Sequence, residues 1–170
     1  MGTHRTVIAT YILASGHKGT VLEGTTAMKT RILLIALTIA WVVALAGLVW
    51  MINLSGMLLH QLRYLLTDMD LVLKACVVLS VVSAAIGIIG VRAAARPRPW
   101  IGIGGAFGWG VLGSLLGAAN AQNGLIAINP PIPFAIYAPF YAQALIVLLV
   151  GLTGALVGLA LLSRRRSRQL

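Results

Sequence analysis

Four stretches of this chain, 32–52, 75–91, 100–121 and 141–163, are long, apolar and free of charged side chains. At about 1.5 Å of rise per residue, a helix of roughly 20 residues covers the ~30 Å hydrocarbon layer of a bilayer, so each stretch can cross once. The expected fold is therefore all-α: a multipass membrane protein with four transmembrane helices. Composition agrees, because only 9% of the 170 residues are charged and the mean hydropathy is +0.97, whereas a soluble domain is about a quarter charged. The second stretch is the shortest, and the sequence predicts that its helix borrows residues from 69–74.

A net charge of +10 raises nucleic acid as a partner, but the placement of the charge argues against it. Arg92, Arg96 and Arg98 lie between the second and third stretches, and Arg164, Arg165, Arg166 and Arg168 follow the fourth. These are the flanks of spans, so the expected partner is membrane lipid. The positive-inside rule puts both clusters on the cytoplasmic side, together with Lys29 and Arg31 before the first span. Both termini are then cytoplasmic. The loops 53–74 and 122–140 are external; the first balances Arg63 and Lys74 against Asp68 and Asp70, and the second carries no charge.

Residues 1–27 differ from the rest in being mixed and without a clear period, and are expected to form a poorly ordered extension ahead of a single domain, 28–170. His4 and His17 fall in that extension and carry little weight as metal ligands. The first span follows a basic start, as a signal peptide does, but it is too long for that role and three more spans follow it. Trp41 is mid-span, and Trp50 is near the outer interface, where an indole is favoured. From 58 to 73 the pattern becomes amphipathic. Leu58, Leu62, Leu65, Leu66, Met69, Val72 and Leu73 form one stripe, and His60, Arg63, Thr67, Asp70 and Lys74 form another, which predicts a helix in the first external loop. Asp68 and Asp70 diverge on such a helix and make a weak metal or acid–base pair. Cys76, the single cysteine, reads as a small buried hydrophobe. The loop NPPIPFAIYAP reads as a rigid reversal, with Pro139 as the start of the fourth helix.

The string GWGVLGSLLG at 108–117 contains G-x-G-x-x-G in Gly108, Gly110 and Gly113. A dinucleotide site needs a strand before that string and an acid about 20 residues after it. Here the string lies in an apolar run, and no Asp or Glu follows it. Ser114 is no better as a nucleophile, since no histidine or lysine is expected at its membrane depth to act as base. Neither a catalytic residue nor a cofactor or metal site is read from this chain, which points away from an enzyme. What remains is helix packing. Ala106, Gly110, Gly113, Ser114, Gly117 and Ala121 recur at three- and four-residue steps, and Gly151, Gly154, Ala155 and Gly158 offer a matching stripe on the fourth span. Either these stripes close a monomeric bundle or they pack across subunits around a pore. Inward-facing Ser114, Asn120, Gln122 and Thr153 suit both.

Two strings together resemble a family. GVLGSLLGAANA in the third span is similar to the G-L-L-G-T-V-x-G segment of the MotA/TolQ/ExbB proton-channel proteins, with Ser114 in the place of threonine. APFYAQALIVLLVGLTGALVGL, at 138–159, resembles the segment A-P-G-I-A-E-A-L-x-x-T-x-x-G-L-x-x-A-x-x-A of the same family. The resemblance covers roughly 104–162, and the first two spans match in number and direction. It implies a subunit of the bacterial inner membrane that forms a homo-oligomer, a pentamer, around a single-span partner supplying an intramembrane aspartate. Proton flow would then drive work on another structure. The spans of this chain contain no acid or base, so alone the chain is no proton relay. By the resemblance Ser114, Thr153 and Gln143 are the pore-lining candidates, and Gly110, Gly113, Gly117, Gly151, Gly154 and Gly158 pack helices. Two positions depart from the pattern: Gln143 stands at the glutamate position, and Leu148 stands at the second threonine. The alternative expectation is a structural or accessory four-helix subunit of a larger complex, with no transport activity.

Overall fold

The computed structural model describes residues 3–56, 62–93, 98–126 and 133–167, with side chains described from Met28 onward within those ranges except at positions 62, 64, 98, 166 and 167. Every element among them is helical: α1 (Thr3–Leu54), α2 (Leu62–Thr67), α3 (Leu71–Arg92), α4 (Arg98–Ile126) and α5 (Phe134–Ser167). Four segments are long and apolar enough to cross a membrane: Met28–Leu54, Leu71–Arg92, Pro99–Ile126 and Phe134–Arg165. The second span does extend upstream, to Leu71. Residues 3–27 are helical and continuous with the first span. Helix α1 ends where Gly56 takes a left-handed conformation, φ 65°, which a residue without a Cβ adopts at no steric cost.

Three boundaries differ from the sequence expectation. The amphipathic segment is not one helix: α2 stops at Thr67, and α3 starts at Leu71 with Asp70 as N-cap at ψ 147°. The Lys74 ammonium donates to the Thr67 carbonyl at 2.8 Å, which satisfies an acceptor that a continuous helix would have paired. The apolar stripe survives the break, since Leu65, Met69 and Leu73 are all buried, while Leu66 and Val72 are exposed. Helix α4 continues to Ile126, past the expected end of the third span. Helix α5 starts at Phe134, so Pro139 lies inside it. A proline there forfeits one backbone bond, to Ala135, and its ring is tolerated near the start of a helix far better than in the middle. His60 and the loop 127–132 lie outside the described residues.

Helix α5 is the hub and touches each of the other four helices, whereas α1 touches α5 alone among the described helices. The register of α1 explains this. Thr30, Leu37, Ala44 and Leu48 are buried, and Leu34 and Trp41 are half-buried, so the contact stripe steps by four and three as in a left-handed coiled coil. Its opposite face, including Ile32, Ile35, Ile39, Val43 and Val49, is exposed. So much uncovered aliphatic surface is stable only in an apolar solvent. Helix α1 runs antiparallel to α5: Leu37 clusters with Leu159 and Ile103, and Leu48 with Ala142 and Leu65. The Arg165 guanidinium donates to the Val91 carbonyl, which brings the C-terminal ends of α3 and α5 together. Lys29, Arg31, Arg92 and Arg165 therefore gather at one end of the bundle, and Asp68 and Asp70 stand at the other.

Candidate functional site

The glycines of α4 and α5 are points of contact within the chain. A Cβ on Gly110 would lie 2.8 Å from the Gly151 Cα, and one on Gly151 would lie 2.6 Å from the Gly110 Cα. Gly113 faces Val147 and Cys76, Gly117 faces Ala144 and Leu73, Gly154 faces Ala84, and Gly158 faces Ile103. Cys76 is buried and free. The tightest approach is between Gly87 on α3 and Gly102 on α4, backbone against backbone. Ser80 strengthens that interface by donating to the Ala106 carbonyl at 3.4 Å. The α3 half of this seam was not singled out in the sequence. Its signal was a small-residue series, Ser80, Ser83, Ala84 and Gly87, at helical spacing.

Three glycines of α4 behave differently: Gly104, Gly108 and Gly124 have nothing within 4 Å of an added Cβ. Gly124 borders the cavity described below. Gly104 and Gly108 are four residues apart on one exposed face, the spacing that lets a second helix approach closely in a membrane.

The three pore-lining candidates do not converge on one another. Thr153 accepts the indole N–H of Trp41 at 2.9 Å and donates to the Leu149 carbonyl at 2.7 Å, so it faces α1. Gln143 is buried and donates its amide to the Leu65 carbonyl on α2 at 3.1 Å. Ser114 is half-buried on α4. Among the described residues no group of three or more His, Cys, Asp or Glu side chains could hold a metal ion.

Gln143 does help to form a different feature. At the end of the bundle away from the arginines, a cavity of about 320 Å³ lies between α3, α4 and α5, lined by residues that include Asp70, Leu73, Asn120, Tyr137, Phe140 and Gln143. The N-cap of α3 supplies the carboxylate, the last two turns of α4 supply the Asn120 amide, and the first three turns of α5 supply the two aromatic rings and Gln143. Asn120 donates to Asp70 Oδ2 at 3.2 Å. The Tyr137 hydroxyl is fully buried with no hydrogen-bond partner among the described residues, and its ring lies 6.5 Å from that of Phe140. Neither Tyr137 nor the Asp70–Asn120 pair is visible in the sequence as a site, because fifty positions separate the pair and no spacing rule joins them.

Comparisons with protein-family profiles, curated proteins and solved structures found no match to this chain.

Proposed function

We propose that this chain is a subunit of an oligomeric complex in the bacterial inner membrane, of the MotA/TolQ/ExbB type, with both termini cytoplasmic. The observation that carries the oligomer is the open pair Gly104 and Gly108. Gly102, Gly105, Gly110, Gly113 and Gly117 of α4 face α3 or α5, whereas this pair leaves room for a helix from outside the chain. The basic residues gathered at one end support the orientation. Support for the family comes from the register of GVLGSLLGAANA and APFYAQALIVLLVGLTGALVGL, which fall on the antiparallel pair α4 and α5. The ion path in this reading needs a partner's aspartate, because no span of this chain holds an acid.

Cysteine cross-linking in native membranes tests the interface. In a Cys76→Ala background, Gly108→Cys is expected to join two copies under mild oxidation, and Val43→Cys on the far face of α1 is expected not to. Equal cross-linking at both positions, or none at Gly108→Cys, would overturn the α4 interface.

A second reading is a structural subunit with no transport. It is favoured by the engagement of Thr153 and Gln143 within the chain. Proton flux into vesicles holding the chain and its single-span partner separates the two. Flux that falls on Ser114→Ala supports the channel, and no flux supports the structural subunit.

A further inference from the structure

The cavity at the acidic end is a binding site, and we infer that its ligand is a primary ammonium group. The inference is independent of the oligomer, since all its lining residues belong to one chain. Among the described residues on the wall, Asp70 is the only charged one. The nearest cation in sequence, Lys74, turns its ammonium to the Thr67 carbonyl. The remaining polar capacity is mostly acceptor: the second carboxylate oxygen of Asp70, and the amide oxygens of Asn120 and Gln143, whose nitrogens are engaged with Asp70 and Leu65. A group with several N–H donors and a positive charge complements such a wall, and bonds to a charged partner are the stronger kind.

Tyr137 adds a separate observation. The residue is 6% exposed and its hydroxyl lacks a partner, although a buried hydroxyl left unpaired is costly. A bound ligand supplies the missing partner. The rings of Phe140 and Tyr137 add faces that attract a cation. The absence of a three-ligand acidic or histidine cluster among the described residues favours an organic ammonium over a bare metal ion. Size agrees, because small-molecule pockets start at about 300 Å³. The site lies where α3 begins, α4 ends and α5 begins, at the boundary of the spans. The ammonium can therefore come from an ethanolamine lipid headgroup or from a free amine.

The test uses the full chain in detergent micelles, with phosphatidylethanolamine, phosphatidylcholine and free ethylammonium as probes. Retention of lipid is read by native mass spectrometry, and amine binding by the shift in melting temperature. Ethylammonium is expected to raise the melting temperature more than tetramethylammonium does. If the source is lipid, phosphatidylethanolamine is also retained in preference to phosphatidylcholine; if it is a free amine, the two lipids are retained equally. Asp70→Asn keeps an acceptor for Asn120 and removes the charge, so it should weaken binding by about tenfold or more. Tyr137→Phe removes a hydroxyl that has no partner in the free protein. It should leave the ligand-free melting temperature equal or higher while weakening the ligand. The inference is overturned if ethylammonium and tetramethylammonium shift the melting temperature alike, if Asp70→Asn binds as tightly as the parent, or if Tyr137→Phe lowers ligand-free stability without changing affinity.

Discussion

At the scale of single residues, glycines that look equivalent in the sequence have opposite surroundings. A methyl group on Gly102 would run into the backbone of Gly87 and the Ser83 carbonyl, and one on Gly151 would sit 2.7 Å from the Ala106 carbonyl. Backbone cannot rotate aside as a side chain does, so the helices must separate. Gly102→Ala and Gly151→Ala should each cost about 1–3 kcal/mol in a reversible melt in micelles. In the folded monomer Gly104→Ala, which meets open space within the chain, should cost nothing and gain up to about 1 kcal/mol from helix propensity. Equal losses at all three would contradict the packing described. Spacing made the stripes on α4 and α5 legible, since small residues at three- and four-residue steps mark a close-packed face. It could not show which helix fills each stripe. Gly113 meets both α3 and α5, and the partner of Gly102 is a glycine on α3 that carries no distinguishing signal of its own.

At the scale of the helix, α1 is the least embedded span, with 17% of its most apolar window buried against 39% for α5. A polar tie to the bundle is the bond from Trp41 to Thr153. Interhelical hydrogen bonds in membranes average about 0.6 kcal/mol. Trp41→Phe and Thr153→Val, combined in a double-mutant cycle, should give a coupling energy of that order, and zero coupling would mean the bond is not formed in the folded protein. The sequence placed Thr153 one and a half turns from a family position, which suggested a pore-facing hydroxyl. The indole that occupies it comes from a helix more than a hundred residues away, beyond any local pattern. Local rules also misjudged both ends of the second loop. Proline at 139 reads as a helix start by propensity, but only one acceptor is lost there, and the packing of Tyr137 and Ala138 holds the helix as far back as Phe134. The break between α2 and α3 was hidden for the complementary reason: the apolar stripe continues through it in register.

At the scale of the whole molecule, an even number of crossings puts the two ends of the four-span bundle on one side, and in the proposed orientation the basic flanks lie in the cytoplasm. A reporter active only in the cytoplasm should work when fused after Leu170 and fail when inserted between α1 and α2. The reverse result would invert the bundle and place the Asp70 cavity on the cytoplasmic face. The four-span architecture was legible from length and hydropathy alone, because the bilayer sets the length of a span directly. The proposed assembly was not, because the stripe that closes the bundle and the open pair Gly104 and Gly108 are both made of small residues on the same helix. Native mass spectrometry of the protein released from membranes tests that assembly most directly. The expected result is a homo-oligomer, a pentamer by the family resemblance, which falls apart to folded monomer when Gly104 and Gly108 are both replaced by leucine. A parent protein that is monomeric under the same conditions would contradict it.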